Sequence, residues 1–188
     1  MALGIQEFIK ELIEQDRSFS VQSLEKRRTN FEFCVEYNAL RILLIINYCG
    51  TNKKIDSKLK FAFFDFLLRY PICLKYLLGK YDGVTEEFSD AELGSIDKKM
   101  VKHISSAWDP DYYNYIGFLD ARGLIAVDLN NRFELQITTA GELTLEKFDS
   151  PEVKKIIRRC KLLKKLYSAE TDNEISKIIK KYFSFAVL

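Results

Sequence analysis

Residues 108–141, WDPDYYNYIGFLDARGLIAVDLNNRFELQITTAG, decide the fold. Asp109 precedes Pro110 at the start of an apolar helical spacing, where a carboxylate can accept the free N–H groups of a first turn. Gly123 has the backbone freedom to end that helix. Two β-rich runs on either side of Asn130-Asn131 then indicate a hairpin. Because a helix followed directly by a hairpin is the core of a winged helix, the segment predicts a fold used mainly for binding.

Apolar periodicity predicts further helices on both sides of this segment. A long, strongly apolar helix is expected at 31–48, a second at 57–68 and a short third at 72–78. An acidic, glycine-containing stretch at 80–97 is expected to be a variable loop. After the hairpin, Thr139 and Glu142 match a capping box, Pro151 begins a basic helix, and a last helix starts near Asp172.

These elements predict a mainly α fold with a small antiparallel β-hairpin. The expected organisation is an N-terminal helix and connector at 1–30, a winged-helix domain at 31–148 and a basic C-terminal helical extension at 149–188. The longest apolar run is too short to span a bilayer, and the N-terminus carries acids without a basic start. We therefore expect a cytoplasmic protein with no membrane partner.

No catalytic or metal-binding pattern is present in the sequence. It has no phosphate-binding loop, no dinucleotide-binding glycine motif, no zinc-protease motif and no serine-hydrolase elbow. His103 is the only histidine, and the four cysteines are widely spaced, which argues against zinc and favours small buried hydrophobes. We expect a protein that is not an enzyme and has no cofactor; a small enzyme with an unfamiliar active site is the remaining alternative.

Charge is distributed unevenly along the chain. The total is +2, yet residues 151–181 hold ten basic residues against four acidic ones. The helix expected to play the recognition role carries three aspartates against the single Arg122, and phosphates would repel it. DNA or an acidic protein surface is therefore better matched by the basic helix, although such runs are often only solvated faces. Its candidate contact residues are Lys154, Lys155, Arg158, Arg159, Lys161, Lys164 and Lys165.

Candidate protein contacts lie on two helices. Tyr112 and Tyr113 are adjacent, so they point to different faces and one of them should leave the core. Arg122 ends the same helix and is the third candidate there. The N-terminal segment has apolar residues at helical spacing that could pack on the domain or dock to a partner, namely Ile5, Phe8 and Leu12. Trp108 is expected to fill the core rather than to anchor a partner.

Several blocks of sequence resemble a known family. EYNALR at 36–41, KL at 58–59 with FDFLLRYP at 64–71, WDPDYY at 108–113 with RGLI at 122–125, and TTAG at 138–141 occur in its order. The family is the middle component of bacterial ABC-three-component systems, which includes the small accessory subunit of Lamassu antiphage defence complexes. The resemblance covers about residues 31–145. The sequence departs from the family pattern at two places: Ser105-Ser106-Ala107 replaces its Tyr-Gly-Pro, and Ala39 replaces a proline.

The resemblance implies a non-catalytic winged-helix subunit. Such a subunit would join an SMC/Rad50-like ATPase to an effector, often a nuclease, that is restrained until foreign DNA is sensed. Non-specific contact with double-stranded DNA would be compatible with this role. The main alternative is a stand-alone winged-helix transcriptional regulator, which would bind duplex DNA tightly and in a sequence-dependent way.

Overall fold

The computed structural model describes residues 34–94, 109–128 and 132–183. The described residues form a mainly helical structure with a small antiparallel sheet, as the sequence predicts. The helices are α1 (Val35–Cys49), α2 (Lys58–Arg69), α3 (Pro71–Leu78), α4 (Asp90–Gly94), α5 (Tyr112–Ala121), α6 (Thr139–Leu145), α7 (Pro151–Tyr167) and α8 (Asp172–Tyr182). The strands are β1 (Lys54–Ile55), β2 (Ile125–Asp128) and β3 (Glu134–Ile137).

The sheet contains the predicted hairpin and one strand that the sequence did not reveal. Strands β2 and β3 pair antiparallel with Ile125 opposite Ile137, and β1 joins on the other side of β3, giving the order β1-β3-β2. The chain enters β1 through a tight turn in which Asn52 and Lys53 have positive φ angles of 51° and 59°. A two-residue strand is too short to show alternation, which explains why the pattern predicted only two strands.

The core is built around α1. This helix buries nearly its whole apolar run, and α2 adds a row of buried phenylalanines. Burial of each phenylalanine side chain contributes about 1.5–3 kcal/mol to the free energy of folding. Helix α7 closes the core by packing on α1, with Cys160, Leu163 and Tyr167 completely buried. Residues of the predicted C-terminal extension therefore share one hydrophobic core with the elements of the predicted winged-helix domain.

Side-chain caps begin several helices where the sequence carries hydroxyl residues. Ser150 accepts a hydrogen bond from the Val153 amide. Pro151 then begins α7, as the sequence predicts. The predicted capping box of Thr139 and Glu142 is wrong by one position. Thr138 is the N-cap, and its hydroxyl accepts a hydrogen bond from the amide of Gly141. Because the residue three positions after Thr138 is this glycine, no carboxylate is present there to complete a capping box. Glu142 instead pairs with Lys53 beside β1.

The cysteines behave largely as expected. Cys49, Cys73 and Cys160 are buried and Cys34 is half-buried, and all four carry free thiols. Burial raises the pKa of the Cys73 thiol to about 12, so that thiol stays neutral and behaves as a small hydrophobe. Within the described ranges, no helix combines the length and the apolar character needed to cross a bilayer.

Candidate functional site

A buried ion cluster holds α5 against α1 and α2. The carboxylate of Asp65, completely buried in α2, lies between two arginines. Its Oδ1 is 2.6 Å from Nε of Arg41, and its Oδ2 is 3.0 Å from Nε of Arg69. The hydroxyl of Tyr112, the first residue of α5, donates to the same Oδ2 at 2.7 Å. The start of α5 is thus fixed by a charge at the centre of the protein.

The charge states of this cluster follow from its contacts. Burial by itself would raise the pKa of Asp65, but attraction to Arg41 and Arg69 outweighs burial and leaves that pKa below its ordinary value. Burial and the neighbouring carboxylate both raise the pKa of Tyr112. Asp65 is therefore an anion and Tyr112 a neutral hydrogen-bond donor.

Asp109 completes the cluster. Its Oδ2 is 2.5 Å from Nη1 of Arg69, and its Oδ1 accepts from the amide of Asp111 at 3.0 Å. The predicted cap is therefore displaced: the N-cap of α5 is Asp111, which makes no side-chain cap, and Asp109 binds one N–H group in the turn that precedes the helix. The ion pair with Arg69 is an addition that sequence analysis missed. The available signal was the occurrence of Arg41 and Asp65 inside apolar helical runs, because buried charges must be paired.

The structure separates the two adjacent tyrosines of α5. The prediction of a partner contact at Tyr112 is wrong, since that side chain is completely buried and bonded to Asp65. Tyr113 is 54% exposed, and the ammonium of Lys58 lies 5.9 Å from the centre of its ring. The rotation of α5 that buries Tyr112 places Tyr113 on the surface.

The outer face of α5 is acidic and small. Asp111 and Asp120 are exposed on it, and a Cβ added at Gly117 would meet no atom within 4 Å. Arg122 is exposed beyond the end of the helix, with its guanidinium 3.6 Å from the centre of the Phe118 ring. Partner contact by Tyr113 and Arg122 stays a prediction. The three other partner-contact candidates, Ile5, Phe8 and Leu12, lie outside the described residues, as does Trp108, which was expected in the core.

An acidic segment covers the first half of the basic helix α7. Glu86 is held by both Arg158, at 2.8 Å and 3.0 Å, and Arg159, at 3.0 Å. Glu92 accepts from Nη1 of Arg159 at 2.8 Å and from Nζ of Lys155 at 3.3 Å. The described part of this stretch, residues 80–94, is therefore the acidic segment: it is anchored on α7 through Glu86 and Glu92 and ends in α4, so it is not simply the loop that the sequence predicts.

These contacts keep the carboxylates ionised. Burial alone would raise the pKa of Glu92, but hydrogen bonds from Arg159 and from Ser89 outweigh burial and lower that pKa to about 2. The pKa of Glu86 is lowered in the same way, by Arg158 and Arg159 acting against burial. The first half of α7 is thus neutralised within the chain itself.

The predicted basic contact residues differ in whether they are already paired with carboxylates of the chain. Arg159 is only 4% exposed and engaged by the acidic segment, so its prediction as a surface contact is wrong. Lys155 and Arg158 share these carboxylates, and Lys154 pairs with Asp149. The second half of α7 carries cations without a salt bridge to a described carboxylate: Lys161 beside the Tyr48 ring, Lys164 bonded to the Gly50 carbonyl, and exposed Lys165.

The described part of the chain has no cluster of metal-ligating side chains. Its His, Cys, Asp and Glu side chains nowhere form a group of three that could hold a metal ion. An open depression of about 380 Å³ lies beside β1 and is lined by Thr51, Asn52, Lys54, Asp56, Lys60 and Gln136. Its two lysines are already engaged, Lys54 by Glu134 and Lys60 by the Ser168 carbonyl.

Comparisons with protein families, with curated proteins and with solved structures find no match to this chain. The family resemblance therefore rests on the sequence blocks alone.

Proposed function

We propose that this chain is a non-catalytic winged-helix adaptor that joins an SMC-like ATPase to an effector, a nuclease in the simplest case, in an antiphage defence assembly. The order of elements supports the winged-helix part of the proposal. A helix, a short strand, two helices and a hairpin follow one another as α1, β1, α2, α5, β2 and β3, with the sheet order β1-β3-β2. Helix α3 and the acidic segment are inserted between α2 and α5.

The observation that carries the proposal is the convergence of the family-like blocks. Arg41 lies in EYNALR, Asp65 and Arg69 lie in FDFLLRYP, and Asp109 and Tyr112 lie in WDPDYY. The contacting residues of these blocks are 24 to 47 positions apart in sequence, yet their charged and hydroxyl groups meet in one cluster. The resemblance therefore concerns residues that act together on the placement of α5, which is more specific than shared helical composition.

The surface charges favour a protein partner over a DNA duplex. The outer face of α5 is acidic, and the acidic segment already occupies the first half of α7. A phosphate backbone would find few free cations on either surface. Non-specific DNA contact, if made by this subunit, would fall to Lys161 and Lys165.

Co-expression with the genes next to its own tests the proposal. A tagged chain should copurify with a large coiled-coil ATPase and with the effector, and Tyr113→Glu should weaken that copurification because a charge replaces an exposed aromatic contact. Lys147→Glu, which changes an exposed residue elsewhere, is the control. A chain that always elutes alone with its neighbours present would refute the adaptor role. Tight, sequence-dependent binding to duplex DNA would instead support the regulator.

A further inference from the structure

Helix α3 exposes an aromatic and basic surface beside the end of α8. Tyr76 is 51% exposed and Ile72 is 39% exposed. The ring of Tyr76 meets the ring of Tyr182 edge to face, with 6.2 Å between their centres. The ammonium of Lys80 lies 4.6 Å from the centre of the Tyr76 ring, and that of Lys181 lies 5.0 Å from the centre of the Tyr182 ring. These five residues form the tyrosine–lysine patch.

The charge of this surface has one sign. Residues 71–81 and 175–183 contain five lysines and no acidic residue. Among the described residues, the ammonium groups of Lys80 and Lys181 form no salt bridge with a carboxylate and lie instead against tyrosine rings. The first half of α7 differs, because there the chain supplies its own carboxylates from Glu86 and Glu92. The patch is a cationic surface for which the described chain supplies no anion.

The patch combines the features of a protein-binding surface. Tyrosine is enriched at the energetic centres of interfaces because it offers a large, rigid area and a polar end. Ile72 adds an apolar position one helical turn from Tyr76. The contacts with the rings hold the ammonium groups near the aromatic surface, so an incoming carboxylate would meet positioned cations.

The ring geometry favours a protein over a single-stranded nucleic acid. Base stacking needs open aromatic faces. Here each tyrosine has an ammonium over its face, and the two rings meet edge to face at 70°, so they do not offer parallel open platforms. Carboxylates need no open face and can approach Lys80 and Lys181 from the solvent side.

We propose that the tyrosine–lysine patch binds an acidic segment of a protein partner, with an aliphatic side chain of that segment against Ile72 and Tyr76 and its carboxylates at Lys80 and Lys181. This interface rests on the proposed adaptor function and specifies one partner-binding surface for it. The surface is distinct from the outer face of α5, which is acidic and would need a partner of opposite charge.

Titration of the full chain with a synthetic helical peptide tests this interface. The peptide carries glutamates and leucines on one face, and its counterpart has glutamine in place of every glutamate. The glutamate peptide should bind saturably, shift the amide NMR signals of Ile72, Tyr76 and Tyr182, and bind about tenfold more tightly than the glutamine peptide, the scale of two exposed ion pairs. Lys80→Glu and Tyr76→Ala should each weaken binding about tenfold.

Two variants match these in chemistry but lie on another surface: Lys147→Glu, also exposed, and Phe148→Ala, whose side chain is 44% exposed. They should bind the peptide as the wild type does. Equal binding of the two peptides, or equal weakening by both sets of variants, would overturn the patch. Tighter binding of single- or double-stranded DNA to the same residues would also overturn it, as would self-association that Lys80→Glu abolishes.

Failure of the patch and failure of the adaptor function are separable. If the chain copurifies with the ATPase but Lys80→Glu changes neither peptide binding nor copurification, the patch is refuted and the adaptor function stands. If the chain binds the peptide through the patch but never copurifies with its neighbours, the adaptor function is refuted and the patch stands.

Discussion

Asp65→Asn should strongly destabilise the protein. The substitution keeps the shape of the side chain but removes the charge that two arginines share. Arg41 is only 4% exposed and would remain as a buried cation without its partner, whereas Arg69 is 24% exposed and keeps Asp109. Most of the loss therefore comes from Arg41, and removing one member of such a buried pair costs about 3–5 kcal/mol. A loss of this size is a large part of the ~5–15 kcal/mol by which a domain is usually stable.

Urea and thermal unfolding measure this effect. For a chain of this length, the loss corresponds to a fall in Tm of roughly 10 °C or more. Asp120→Asn, an isosteric change at an exposed position of α5, should stay within about 0.5 kcal/mol of the wild type. Tyr112→Phe removes only the hydroxyl that donates to Asp65 and should cost about 1.5–3 kcal/mol of stability. This milder variant tests the same cluster if Asp65→Asn does not fold. A loss below about 1 kcal/mol for Asp65→Asn would refute the reasoning, because the buried charge would then be stabilised by something other than this cluster.

Two further predictions concern acid stability and glycine packing. The pKa of Glu92 is about 2 in the folded protein against an ordinary 4.5, so its contribution to stability should be present above pH 4.5 and lost as the pH falls towards 2. The free energy of unfolding in urea should therefore depend less on pH in Glu92→Gln than in the wild type over this range. An unchanged pH dependence would contradict the ion pairs with α7. Gly141→Ala should destabilise the protein by about 1–3 kcal/mol, because the new Cβ would clash with the Leu124 carbonyl. Gly117→Ala places its Cβ in open space on α5 and should stabilise the protein by about 0.5–1 kcal/mol. Thermal unfolding measures both effects. Similar effects of the two substitutions would show that backbone contact does not govern Gly141.

Local signals predicted the elements well. The predicted features that depend on neighbours within a few residues are the apolar runs of α1 and α2, the end of α5 at Gly123 with its positive φ of 65°, and the hairpin. The cap of α6 was displaced by one residue because two threonines stand side by side, and only the backbone shows that Thr138 has the extended conformation of an N-cap.

Contacts between distant segments were harder to predict. The choice between Tyr112 and Tyr113 depends on the rotation of α5, which Asp65 sets from another helix. Likewise, the acidic segment and the basic helix α7 were both evident as charge patterns. The paired residues are 63 to 73 positions apart in sequence, and the pattern alone does not show that they neutralise each other. The candidate contact set consequently lost Tyr112 and Arg159 and kept Tyr113 and Arg122.

The shared carboxylate of Asp65 also bears on how the chain folds. Helices α1 and α2 bring two arginines and one aspartate together, which leaves an excess positive charge until Asp109 arrives with the start of α5. A dry subcore of α1 and α2 alone would have to exclude water from that uncompensated cation, which is unfavourable. Collapse of the centre is therefore linked to docking of a segment about 40 residues away, and we expect cooperative, all-or-none unfolding. A fragment that ends before residue 109 should not acquire a stable native core.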